Sequence, residues 1–130
     1  LIFNGKAVCI PCHKMGYRGG KMGPDLTRIG RVRTERDLLE AIAFPSASFV
    51  RGYEPMLLKT KSGEQLAGVI LNETATHFQL SLGPALERRV PRNEIVEMKP
   101  GPVSLMPAGL DRVLTRQELA DLIAFLKSLK

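Results

Sequence analysis

Thr76-His77-Phe78-Gln79-Leu80-Ser81-Leu82 is the stretch whose residue pattern most constrains the fold. Its apolar residues occupy positions 78, 80 and 82, and polar residues separate them at positions 79 and 81. An alternation with a period of two is typical of an extended strand that buries one of its faces. The sequence therefore predicts a half-buried β-strand over residues 76–82.

Four further strands are predicted around this one. The turn-forming stretches Lys61-Ser62-Gly63-Glu64 and Gly83-Pro84 divide the surrounding sequence into short segments of strand-like composition. Five short strands joined by tight turns predict a small curled sheet or barrel of the Sm-like or SH3-like kind. The predicted strands span residues 53–60, 65–72, 76–82, 86–90 and 95–98.

Helical patterns lie on both sides of this β segment. Thr34 followed by Asp37 is typical of a helix start, and the apolar stripe after it ends before Pro45. Thr115 and Glu118 have the spacing of a capping box at the start of a last helix. Leucine and isoleucine residues then recur at helical spacing, which predicts that one face of this last helix is buried.

The length of 130 residues suits one domain or a small domain that carries an insertion. A hydrophobic fraction of 44% supports a packed core. Without residues 53–99, the remainder has about the size of a small helical domain. The sequence therefore predicts one helical domain formed by residues 1–52 and 100–130, with residues 53–99 inserted as a β subdomain.

The chemically most informative motif is Cys9-Ile10-Pro11-Cys12-His13. A short helix is expected over residues 1–12 and runs into this motif. C-x-x-C-H is the spacing of a c-type haem attachment site, where each thiol forms a thioether and the histidine binds the iron. A redox-active C-x-x-C pair and half of a zinc site are the alternatives. A zinc site needs further ligands, and His77 is the one other cysteine or histidine in the chain. The motif thus predicts one covalent haem c with His13 on its iron.

An electron-carrying haem needs a second axial ligand, which is most often a methionine or a histidine. Met106 is the preferred candidate because it lies in the irregular loop 101–107, with a proline on each side and the last helix after it. An open, ligand-binding distal site is the other possibility. The remaining candidates are less suitable, because they are near His13 or on predicted strands. They are Met15, Met22, Met56, Met98 and His77.

These motifs together resemble class I cytochromes c. Gly23-Pro24-Asp25-Leu26 is similar to the proximal loop of that family, and Ser104-Leu105-Met106-Pro107 is similar to its distal loop. The resemblance implies that the carbonyl of Pro24 accepts the His13 N–H and that Met106 is the distal ligand. The implied fold class is a mainly α cytochrome c fold with a small β-sheet or barrel inserted between the second helix and the distal loop.

More narrowly, the chain resembles the planctomycete-type haem-binding domain. The similarity lies in residues 38–42, 45–48 and 52–54, in the glycine pattern of the β segment and in Met106-Pro107-Ala108-Gly109-Leu110. This family implies a module of a larger secreted or periplasmic protein that receives electrons from a fused or partner dehydrogenase and is not itself an enzyme. The start at Leu1 rather than Met indicates a mature or excised fragment.

The formal net charge of +6 indicates a solvated surface, attraction to an acidic redox partner or pairing of basic residues with the haem propionates. A nucleic-acid role is not expected, because no aromatic residues interleave with the charges to stack bases. Direct membrane insertion is not expected either, since no apolar run is long enough to cross a bilayer. Electron transfer is therefore the leading function. A haem-based sensor with a labile distal site and a docking module centred on the β segment are the alternatives.

Overall fold

The computed structural model describes residues 2–3 and 5–130. Its helices and strands follow one another as two short helices, five strands and two further helices, with a 3₁₀ turn at Arg92–Glu94 before the last strand. No helix in these described ranges is long and apolar enough to cross a membrane. The elements are α1 (Ile29–Val32), α2 (Glu35–Ala43), β1 (Met56–Thr60), β2 (Gln65–Glu73), β3 (His77–Gly83), β4 (Leu86–Pro91), β5 (Ile95–Pro100), α3 (Leu110–Val113) and α4 (Arg116–Ser128).

The five strands form one antiparallel sheet in the order β4-β3-β2-β1-β5. Strands β1 to β4 are a simple meander, whereas β5 returns to pair with the free side of β1. All five predicted strands are present, but β1 begins at Met56 rather than at residue 53. The predicted alternation in β3 holds for Phe78 and Leu80, which are buried against Leu58 and Val90, but it fails after them, since Ser81 is buried and Leu82 only partly buried.

The predicted mainly α fold class is wrong. The described residues are 26% helical and 27% strand, and all four strand pairings are antiparallel. Among the four helices of the described residues, α1 and α3 contain only four residues each. The helical segments are too short to dominate the fold, because much of the chain outside the sheet is turn and loop.

The prediction of a helix over residues 1–12 is wrong, because the described residues 2–3 and 5–12 form turns and irregular backbone. Val8 has a left-handed φ of 53°, and this conformation interrupts an α-helix. The Ala7 N–H bonds to Ile2 O instead of following the helical spacing of four residues. Pro11 adds a second barrier, because it has no N–H to donate. Leu1 and Asn4 lie outside the described residues.

The part of the chain that the structure describes contains two hydrophobic clusters. One lies in the sheet around Leu58, Phe78, Leu80 and Val90. The other, here called the helical cluster, joins the start of the chain to helices that come before and after the sheet in sequence. Its buried members are Phe3, Ala7, Leu38, Ile42, Leu114, Leu122 and Leu126. The division into a helical domain and an inserted subdomain stays a prediction.

Helices α2 and α4 are fixed at their starts by capping boxes, as the sequence predicts. The Asp37 N–H donates to Thr34 Oγ1 over 3.1 Å, and the Glu118 N–H donates to Thr115 Oγ1 over 3.1 Å. Both carboxylates bond back to the N–H of their cap residue. Helix α4 packs on α1 and α2, so the capped helices hold the helical cluster beside the segment that carries the C-x-x-C-H motif.

Candidate functional site

The C-x-x-C-H motif forms one tight turn of backbone. The N–H groups of Cys12 and His13 both donate to Cys9 O, over 3.2 and 2.9 Å. Cys9 and Cys12 are free and partly buried. Burial, with a smaller contribution from Cys12, raises the pKa of the Cys9 thiol to about 11, and burial also raises the pKa of Cys12. The turn thus presents two protonated thiols and one imidazole from five consecutive residues.

The imidazole of His13 is oriented by the loop that follows the motif. Its Nδ1 lies 2.8 Å from Pro24 O. A carbonyl oxygen only accepts hydrogen bonds, so Nδ1 carries the proton and Nε2 keeps a free lone pair in the neutral ring. Burial lowers the pKa of His13, and the bond to Pro24 partly offsets this effect. The contact that the resemblance implies is therefore present, in the form suited to metal ligation.

Three glycines let this loop close over the motif. A Cβ atom at Gly23 would lie 2.5 to 2.9 Å from atoms of the His13 ring, so a side chain there would collide with the imidazole. Cβ atoms at Gly19 and Gly20 would collide with the carbonyls of His13 and Pro11. The backbone of the loop bonds directly to the motif, since the Gly23 N–H donates to Cys12 O over 2.8 Å. The sequence indicates a glycine-rich loop here, but not which glycine faces the ring.

Met22 contacts the motif in a way that sequence reasoning missed. Its side chain is buried, and its Sδ lies 3.9 Å from Cys12 Sγ. The sequence sets Met22 aside as an iron ligand because of its nearness to His13, and the observed contact is with the thiol instead. Only the closure of the loop brings the two sulfur atoms together. The one sequence feature that hints at this contact is the short spacing of ten residues between Cys12 and Met22.

Met106 lies in a loop that is hydrogen-bonded to the segment after α2. The Ser104 N–H donates to Ser46 Oγ over 2.9 Å, and the Met106 N–H donates to Ser104 Oγ over 3.1 Å. Met106 is partly buried against the helical cluster, and Cys9 packs against the same cluster. The fold thus brings the distal-loop methionine and the first motif cysteine, almost a hundred residues apart in sequence, to one hydrophobic core.

His77 has a different environment at the start of β3. Its Nδ1 lies 3.1 Å from both Thr74 Oγ1 and Thr76 Oγ1, in the turn between β2 and β3. Among residues 2–3 and 5–130, no group of three or more His, Cys, Asp or Glu side chains could hold a metal ion. The structure therefore uses His77 in a turn and does not gather the ligands that a zinc site would need.

The residues present fit a covalently bound haem. Two free thiols lie one turn apart beside a histidine whose Nε2 is free, and a thioether side chain packs on the same core. These are the donor types of His/Met ligation with two thioether links. A scan of the chain against models of known protein families finds no match, and a search of curated proteins finds no relative.

Proposed function

We propose that the chain is an electron-transfer module that holds one haem c through Cys9, Cys12 and His13. The observation that carries this proposal is the pairing of His13 Nδ1 with Pro24 O beside two free cysteines in the same backbone turn. When bound, the haem supplies reversible one-electron transfer at its iron, and the protein supplies attachment, orientation and shielding. The module is not an enzyme by itself and exchanges electrons with a redox partner or a fused dehydrogenase.

Each residue of the motif has a separate task in this proposal. The Cys9 and Cys12 thiols form the thioether links, which keep the cofactor attached in either oxidation state. The carbonyl of Pro24 fixes the tautomer and the plane of the His13 ring, and the bond makes Nε2 a stronger donor. Gly23 provides the space that this ring orientation needs.

Met106 is the proposed sixth ligand. Its loop has two features that favour a fixed thioether position, namely proline at positions 102 and 107 and the hydrogen bonds through Ser46 and Ser104. A pre-positioned ligand loses less conformational entropy on binding, so the low-spin state is favoured in both oxidation states.

Haem c is generally attached to proteins outside the cytoplasmic membrane. The proposed location of the protein is therefore the periplasm or its equivalent.

The test is to produce the chain together with a haem-attachment system and to record visible spectra of the oxidised and reduced forms. We expect sharp c-type bands in the reduced form, a Met–iron band in the ferric form and haem that resists extraction by acidic organic solvent. The double variant Cys9→Ser/Cys12→Ser is expected to release its haem under the same extraction. Haem without the Met–iron band would indicate a ligand-binding or sensor site, and a chain without covalent haem would overturn the proposal.

A further inference from the structure

The positive charge of the chain is concentrated in one segment. Residues 14–36, here called the basic segment, contain seven Lys or Arg and two Asp or Glu, a net charge of +5 out of the +6 of the whole chain. All seven basic side chains of this segment are exposed. The remaining residues are almost neutral, so the charge is a local property of one surface and not a general property of the protein.

The ion pairs of the protein leave this charge free. In the described part of the chain, the four ion pairs all involve basic residues outside the basic segment. Asp25, one of its two acidic residues, accepts hydrogen bonds from the N–H and Oγ1 of Thr27, over 2.8 and 2.5 Å. The field of the basic segment therefore points into the solvent, where it attracts acidic groups.

The basic segment also exposes apolar surface. Tyr17 is fully exposed, and Val32 is 69% exposed. Together with Ile29 and Arg28 they line an open groove of about 590 Å³. Tyr17 is held outward by a tight turn, in which Met15 and Arg18 exchange backbone hydrogen bonds of 2.7 and 3.2 Å. Tyrosine and arginine around an apolar centre are typical of protein interfaces.

We propose that this groove docks an acidic protein surface that presents an apolar side chain. Charge complementarity selects the acidic partner, and the apolar lining selects a side chain rather than a simple anion. A nucleic acid is a less suitable occupant, because Tyr17 is the one aromatic residue of the basic segment and cannot stack a run of bases. Tyr17 lies four residues after His13, so a docked protein would lie beside the candidate haem site. That this partner exchanges electrons rests on the proposed function, whereas the docking itself does not.

The test uses a labelled glutamate-rich peptide with one central leucine, titrated with the full haem-loaded chain and followed by fluorescence anisotropy. We expect saturable binding that weakens as salt is added. The pair Arg28→Gln/Arg31→Gln is expected to weaken binding about tenfold. The matched pair Arg51→Gln/Arg89→Gln removes the same charge elsewhere and is expected to change binding less than about twofold.

A second variant separates the apolar contribution from the charge. Tyr17→Ser is expected to weaken peptide binding about fivefold, because exposed tyrosines are frequent anchors in interfaces. Phe44→Ser is the control, since Phe44 is a 67% exposed aromatic residue outside the basic segment. Circular dichroism checks that each variant is folded, and Arg18→Gln/Arg36→Gln replaces the first pair if that pair unfolds.

Three results would overturn the docking proposal. The first is the absence of peptide binding at low salt, and the second is an equal loss of peptide affinity in the two arginine double variants. The third is displacement of the peptide by a single-stranded oligonucleotide that binds more tightly. The peptide label and the haem absorbance are read separately. If the chain binds the peptide but acquires no covalent haem when it is produced with a haem-attachment system, only the proposed electron transfer is overturned. If the chain carries covalent haem but does not bind the peptide, only the docking is overturned.

Discussion

Gly23 packs against the imidazole of His13 so closely that a methyl group at position 23 would lie 2.5 Å from the ring Cε1. The Nδ1 atom of the same ring lies 2.8 Å from Pro24 O. Two neighbouring residues of one loop therefore fix both the position and the tautomer of the histidine. Residue 23 therefore limits how closely the loop can approach the histidine ring.

Gly23→Ala is expected to displace the His13 ring or the loop and to destabilise the fold by about 1 to 3 kcal/mol, as overpacking does. The measurement is urea denaturation together with the amount of covalent haem per chain. Gly83→Ala is the control, because its nearest neighbour, Leu86 Cβ, would be 3.9 Å away. Equal stability of the two variants would contradict the packing argument.

Met106→Ala is expected to leave haem attachment intact and to remove the Met–iron band, which gives a high-spin or water-ligated ferric spectrum. Carbon monoxide should then bind the reduced form faster than in the parent. Met98→Ala is the matched control, since Met98 lies on β5 and is 40% exposed. A parent-like spectrum in the Met106 variant would exclude Met106 as the ligand.

Lys127→Met is expected to destabilise the fold by about 1 to 2 kcal/mol. Lys127 Nζ donates to Gly30 O and to Arg33 O, each over 3.0 Å, and so satisfies carbonyls at the end of α1. The substitution keeps most of the apolar stem but removes both bonds. Lys130→Met is the control at the exposed chain end, and urea denaturation measures both. No difference between them would mean that these two bonds do not contribute to stability.

Local sequence signals predicted much of the fold. The five strands and both capping boxes depend on neighbouring residues, such as the alternation around Phe78 and the pair Thr115 and Glu118, so they could be recognised without tertiary contacts. The first helix failed because the left-handed backbone at Val8 is not visible in the residue type. The mainly α fold class failed with it, since that expectation gave too much of the chain to helix.

The candidate site was predictable in its chemistry but not in its packing. The C-x-x-C-H spacing is local, and the pairing of His13 with Pro24 followed from a resemblance of the proximal loop. The contacts of Met22 with Cys12 and of Gly23 with His13 arise only when the loop folds back. Such contacts depend on backbone closure across about ten residues, for which single-residue preferences carry no information.

Acid is expected to destabilise the protein partly through Glu118. Its hydrogen bond with Lys6, at 2.8 Å, and its bond to the Thr115 N–H hold the pKa of Glu118 below the ordinary value of 4.5. As the pH falls, the Glu118 carboxylate is therefore protonated in the unfolded chain at a higher pH than in the folded protein. The stabilisation by the Glu118 carboxylate is complete at pH values above its ordinary pKa of 4.5. It is lost as the pH falls through the lower pKa that Glu118 has in the folded state.

Glu118→Gln is expected to make thermal stability depend less on pH in this acidic range. The measurement is the Tm at neutral pH and at about pH 3, where the unfolded carboxyl is protonated. Glu87→Gln on the edge strand β4 is the matched control for the loss of one carboxylate. Asp25, Asp37 and Glu64 also have a lowered pKa, so part of the acid sensitivity should remain. An unchanged pH profile in the Glu118 variant would show that its bonds to Lys6 and Thr115 do not favour the folded state.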